Sequence, residues 1–126
     1  MILNDEMLGV KKNGIEYICF KKLNELNIVN AFSLKGLNFR NRPDIHIDYT
    51  KLLECLGIEY NRLVRPLQKH TDNILILNEK KNVDTADINI DYLDGVDAII
   101  TRLKGIAVAT TSADCLCVVL YDTENE

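Results

Sequence analysis

Among the residues whose side chains can bind a metal or attack an electrophile, two that sit beside apolar segments stand out. They are His70, in Gln68-Lys69-His70-Thr71-Asp72, and Cys115, which follows Thr110-Thr111-Ser112-Ala113-Asp114. A neutral imidazole and a thiolate are both zinc ligands, and a thiol beside an imidazole is a nucleophile–base pair. Taken singly, each residue has an ordinary structural explanation. A lone histidine at a strand end is usually a surface or hydrogen-bonded group. A cysteine after a run of small residues is more often an inert small hydrophobe. Asp114, next to Cys115, can orient a ligand or cap a turn.

Composition narrows the setting. A chain of 126 residues with 47% hydrophobic and 27% charged residues is long enough for one domain with a real core. A formal net charge of −4 argues against non-specific binding to nucleic acid or to an anionic membrane, both of which need a basic surface. No apolar run approaches the roughly 18 residues of a membrane span. The N-terminus opens on Asp5 and Glu6 rather than on basic residues, so we expect no signal peptide and a cytoplasmic location. Without a secretion signal, and with spacings that match neither a CxxC redox pair nor a zinc knuckle, Cys19, Cys55, Cys115 and Cys117 are expected to be reduced thiols.

The elements that must position these residues read as a mixture of strands and helices. Met7–Lys12 and Ile15–Phe20 flank Asn13-Gly14, the strongest short hairpin signal. A polar connection over 21–27, with about one helical turn, precedes an expected strand at 28–34. The loop 35–47 gathers Gly36, Asn38, Arg40, Asn41, Arg42 and Pro43. Asp48 reads as the N-cap of a helix over 49–56 that places Tyr49, Leu52, Leu53 and Leu56 on one face and stops at Gly57. Short strands are expected at 63–68 and 73–77, bracketing His70, and a polar, acidic excursion at 78–95. Three more strands, at 98–101, 106–111 and 116–121, are rich enough in β-branched residues to suggest burial on both faces. Cys115 stands at the entrance of the last.

Several segments recur together in an order that carries more information than either residue alone. They are Leu67-Gln68-Lys69-His70, then Asp94-Gly95-Val96-Asp97-Ala98-Ile99-Ile100-Thr101, then Gly105-Ile106-Ala107-Val108 through Ala113-Asp114-Cys115 to Leu120-Tyr121-Asp122. Upstream lie Ala31-Phe32-Ser33 and Leu37-Asn38-Phe39. This series resembles the bacterial family long labelled multicopper polyphenol oxidases, or laccase-domain proteins, and since understood as zinc-dependent purine nucleoside phosphorylases. The family pattern runs Q-x-H, D-(A/G)-x-x-T and T-A-D-C, followed by an apolar strand ending in Asp. Ser112 stands here where the family usually has Thr. The glycine-rich link upstream is shorter than usual. The resemblance covers about residues 28–122.

The resemblance implies an α/β fold of mixed α+β type, a layered α-β-β-α sandwich, with residues 1–126 forming the N-terminal part of a single domain. It implies purine nucleosides and phosphate as substrates, with adenosine deaminase and methylthioadenosine phosphorylase activities beside phosphorolysis of nucleosides. His70 and Cys115 carry over as catalytic metal ligands, with Asn38 and Arg40 in the substrate-binding loop. The family's third ligand is a histidine in a His-Ala-Gly-Trp-Arg-Gly-like motif beyond the strand that ends at Asp122. This sequence runs to Glu126 and contains no Trp, and its other histidine, His46, does not match that motif. We therefore expect the front half of a domain roughly twice as long, with an incomplete site and an apolar edge prone to self-association.

Two histidines and a thiolate would leave zinc's fourth position open, as a catalytic site requires. Arg40, Arg42, Lys69 and Arg102 are candidate phosphate donors by their position near the motif-bearing loops, although any one of them is more often a solvated surface charge. Copper is disfavoured as the metal, because laccase chemistry needs several copper ions held by many histidines and the chain has two. Two alternatives remain: a metal-free hydrolase or deamidase in which His70 activates Cys115, and a folded but non-catalytic fragment.

Overall fold

A computed structural model describes residues 4–40, 43–78 and 94–125. The described residues are mixed α and β, with small sheets and few helices, and divide into two compact units, residues 1–60 and 61–126.

In the first unit, β1 (Met7–Lys12) and β2 (Ile15–Phe20) form the expected antiparallel hairpin, with Lys12 opposite Ile15. Asn13 and Gly14 both take positive φ, 52° and 75°, the conformation a two-residue hairpin turn needs to match strand twist. Alternation along β2 turns Tyr17 and Cys19 into the core and leaves Glu16 and Phe20 outside. Helix α1 (Lys21–Glu25) supplies the single turn that was expected.

The strand expected at 28–34 shrinks to β3 (Phe32–Ser33), which pairs with β2 at Tyr17 and Ile18. Two local interactions take up the backbone before it. Ile28 N–H closes onto the carbonyl of Leu23 at 2.9 Å, and the Asn30 side chain accepts the Phe20 N–H at 2.7 Å. A side chain thus stands in for ladder bonds that a strand would have made.

Helix α2 (Ile45–Leu56) begins earlier than expected and corrects the role of Asp48. Asp48 lies within the first turn, and its carboxylate accepts the backbone N–H of Asn38 at 3.1 Å instead of capping the helix. The buried stripe is Ile45, Tyr49 and Leu53, at i, i+4 and i+8, joined by Cys55, while Leu52 and Leu56 are only partly covered. Gly57 ends the helix as expected, in the left-handed conformation at φ 70°. Cys55 also donates through Sγ to the carbonyl of Lys12, and Lys12 Nζ donates to the carbonyl of Cys55, which fastens helix to hairpin.

The second unit is built on two parallel pairs. After a 3-10 turn (Tyr60–Arg62), β4 (Leu63–Val64) pairs with β7 (Ala107–Val108), and β5 (Ile74–Leu77) pairs with β6 (Ala98–Thr101). The core is Val64 and Leu77, with Leu75, Ile99, Leu103 and Ile106 against them. The strand expected at 63–68 stops early, because Pro66 has no N–H to give a ladder. With its partner ended, β7 is also shorter than the expected 106–111.

Two further expectations are corrected. Residues 116–121 form no strand, and Leu116 and Leu120 are 89% and 90% exposed. An apolar, β-branched run becomes a strand only where another strand pairs with it, and none among the described residues does. Nor are the strands buried on both faces. Leu77 is 1% exposed but Ile76 beside it is 64% exposed, and Ile74 and Ile100 lie open with it. Pleating sends alternate residues to opposite faces, and among the described residues no layer covers one face of the β5–β6 pair. Most of the acidic excursion expected at 78–95 falls outside the described residues.

These contrasts set an expected result. Leu77→Ala should cost about 2–5 kcal/mol, whereas Ile76→Ala should stay within about 0.5 kcal/mol, as exposed substitutions do. Urea unfolding of the two variants checks both.

Candidate functional site

The register of the second unit creates a bulge, and His70 sits within it. Leu67 forms a parallel bridge with Asp94, and regular pairing resumes at Ile74 opposite Ala98. Between these points residues 68–73 on one side face only 95–97 on the other, so the longer side must bow out. His70 adopts a positive φ of 56°, a left-handed conformation that costs a non-glycine residue about 1–2 kcal/mol. Its side chain is exposed.

A single carboxylate organises the bow. The backbone N–H groups of Lys69, His70 and Thr71 all donate to Asp97, at 3.2, 3.0 and 2.9 Å. The Thr71 hydroxyl lies 2.7 Å from Asp97 Oδ2 and 2.6 Å from the carbonyl oxygen of Gly95. Asn73 closes the far side: its Nδ2 donates to Gly95 O at 3.0 Å, and its carbonyl accepts the Asp97 N–H at 3.1 Å. The Thr71 backbone N–H and hydroxyl, followed by the N–H groups of Lys69 and His70, hold the Asp97 carboxyl down at about 2.

Gln68 links this loop to the one that carries Cys115. Its Oε1 accepts the Thr111 N–H at 2.7 Å and lies 3.1 Å from the Thr111 hydroxyl, while its Nε2 donates to the Thr111 carbonyl at 3.0 Å. The side-chain amide thus matches the main chain of Thr111 donor to acceptor, as another strand would. It continues the β4–β7 pairing past Pro66, after the Ala109 N–H has bonded the Val64 carbonyl at 3.0 Å. Beyond Thr111, the Ser112 hydroxyl donates to the carbonyl of Cys115 and closes the turn that presents the thiol. Cys115 and Cys117 are exposed free thiols, and Cys19 and Cys55 are buried ones.

The structure therefore ties the loops of His70 and Cys115 together through Gln68. One imidazole nitrogen and one sulfur are donor types that zinc accepts. Among the described residues no three or more His, Cys, Asp or Glu side chains gather at metal-binding spacing.

Asn38 and Arg40 belong to the first unit. The Asn38 Oδ1 accepts the Arg40 N–H at 3.0 Å, an Asx-turn that engages this side chain in shaping its own loop. Phe39 stacks obliquely on Tyr49, with ring centroids 4.4 Å apart. Arg42 lies outside the described residues. In the second unit Arg102 is exposed, and Lys69 is paired with Asp94 at 2.7 Å.

Reading the residue types alone passes over Asp97 and Gln68 as functional residues. Both stand in the recurring motifs, and an aspartate immediately before an apolar strand is a recognisable turn-forming signal.

Acid should loosen the His70 loop. A carboxyl whose pKa is depressed by folding contributes stability that is fully present above its unfolded value of 3.8 and is lost as pH falls through about 2. The amide resonances of Lys69, His70 and Thr71 should therefore hold their positions down to about pH 4 and move together below it, as an NMR titration would record.

Comparison with known proteins agrees with the motif order. Residues 36–126 match the family described as multi-copper polyphenol oxidoreductase laccase, a stretch that contains both His70 and Cys115. The chain is 36% identical over 69 residues to adenosine deaminase RL5 from an unknown prokaryotic organism, which covers 55% of this chain and 26% of that protein. It is 33% identical over 76 residues to a purine nucleoside phosphorylase of Bacteroides thetaiotaomicron, covering 60% of this chain and 28% of the relative. A purine nucleoside phosphorylase of Corynebacterium glutamicum is 27% identical over 74 residues, 59% of this chain and 28% of its own. The matched stretch thus spans little more than a quarter of these relatives' length. No solved structure matches the chain. With nearly three quarters of its residues inside the family match, the chain belongs to the multi-copper polyphenol oxidoreductase laccase family.

Proposed function

We propose that these residues are part of a zinc-dependent, cytoplasmic purine nucleoside phosphorylase that also deaminates adenosine and phosphorolyses methylthioadenosine, built as a layered α-β-β-α sandwich. The observation that carries the reading is the shared sequence with proteins named purine nucleoside phosphorylase and adenosine deaminase. The Gln68–Thr111 tie between the His70 and Cys115 loops supports it. Because the chain spans little more than a quarter of those relatives, the activity is proposed for the whole protein to which it belongs.

His70 and Cys115 would hold the metal as a neutral imidazole and a thiolate. When bound, zinc supplies Lewis acidity and a water acidic enough to ionise near neutral pH. In phosphorolysis a phosphate oxygen bonds to the ribose C1′ while the bond from C1′ to the purine nitrogen breaks, and the base leaves with that electron pair and takes up a proton. In deamination water adds at the purine C6 and the amino group leaves as ammonia. The chain's own contribution is placement: the Asp97 clamp holds His70, and Gln68 with Ser112 holds the turn of Cys115. Lys69 is neutralised by Asp94 and must leave it before it can meet phosphate. Arg40 has its N–H, not its guanidinium, engaged by Asn38.

The exposure of Cys115 favours a second reading, in which the thiol is a metal-free nucleophile with His70 as its base. One set of measurements separates the two. The zinc reading expects stoichiometric metal in the full-length protein, protection of Cys115 from iodoacetamide, and phosphate-dependent release of hypoxanthine from inosine. His70→Ala and Cys115→Ala should each lose more activity than the roughly 10- to 100-fold that follows loss of a ligand's outer partner. A metal-free, fast-alkylating enzyme that chelators leave fully active would overturn it in favour of the nucleophile.

A further inference from the structure

We propose that Asp97 is the positioning residue of His70: it touches neither substrate nor metal, and acts by clamping the main chain on both sides of the imidazole. The inference rests on reading His70 as a ligand. Its structural basis is the bulge, since residues 68–73 must be accommodated against 95–97 and the left-handed conformation of His70 is unfavourable for a side chain of its type. Lys69, His70 and Thr71 point three successive N–H groups to one side, and both oxygens of the Asp97 carboxylate accept them, Oδ1 from His70 and Oδ2 from its two neighbours. Three peptide planes are fixed at once.

A ligand on a bowed loop would otherwise sample many directions, and each immobilised rotor would have to be ordered when the ligand bound. The clamp orders the backbone in advance. It also explains why the acceptor is an aspartate. An amide offers one acceptor oxygen and places an N–H₂ group where the second must be, against backbone N–H donors. A glutamate is one methylene longer and would push the bulge outward.

The test is backbone amide exchange at residues 69–71, measured by NMR on the full chain and on Asp97→Asn and Asp97→Ala, with zinc titrated into each and followed at the His70 imidazole. Asp97→Ala should speed exchange at all three amides at least tenfold, and Asp97→Asn at those facing its N–H₂, while resonances of the Val64 and Leu77 core stay in place. Zinc affinity read at His70 should fall about 10- to 100-fold, the usual effect of losing an outer partner. Wild-type exchange rates in a folded Asp97→Ala variant would overturn the proposal. Should that variant unfold, Asp97→Asn decides by the same criterion. If the wild-type chain gives no zinc response, the metal reading of His70 suffers, while the amide rates still decide whether Asp97 clamps the loop.

Discussion

The carboxylate of Asp97 is the constraint on which the rest of the second unit's site depends. A parallel sheet tolerates mismatched segment lengths only if the backbone groups freed from the ladder find other partners. Here the mismatch lies between the Leu67–Asp94 bridge and the Ile74–Ala98 pairing, and Asp97 takes up the three N–H groups that the bow releases. One residue later the same strand enters β6 and packs Ile99 toward Val64 and Leu77. The clamp is therefore anchored directly to the core. That short link ties the backbone of an exposed histidine to the core.

Gln68 solves the neighbouring problem by similar means. Pro66 breaks the β4 ladder, yet the chain beyond Ala109 still has to be held beside residues 67–70. A carboxamide presents an acceptor oxygen and an N–H donor side by side, so Gln68 pairs with both the N–H and the carbonyl of Thr111 where a backbone strand is missing. Side chains thus replace main-chain bonds at two consecutive places. The two loops so held are the ones that carry an imidazole and a thiol.

The two candidate residues, His70 and Cys115, are donors of different softness on loops of different construction. The His70 loop is fastened by charge-assisted bonds to one carboxylate, whereas the Cys115 turn is fastened by a neutral amide and a hydroxyl. Acid acts on the fastening of the first, which is a carboxylate, and not on that of the second, whose amide and hydroxyl carry no charge to lose in the acidic range. The resemblance points to His70 and Cys115 as candidates, and the structure adds the residues that hold their loops, Asp97 and Gln68.

Much was legible in the sequence where the cause is local. The Asn13-Gly14 hairpin, the stop of α2 at Gly57 and the free thiols follow from backbone preference and spacing within a few residues, and the order of motifs from Gln68 to Asp122 marked the family and its two candidate ligands. For Asp48 a cap and a first-turn aspartate look alike in sequence, and only the folding back of Asn38 distinguishes them. The run at 116–121 has the composition of a strand, but a strand exists only where a second one pairs with it. Likewise, the sequence alone determined that His70 and Cys115 could serve as ligands. Tertiary structure decided that Asp97 grips the backbone around one and Gln68 the approach to the other, because both are contacts between segments more than twenty residues apart, set by strand register, which no local pattern encodes.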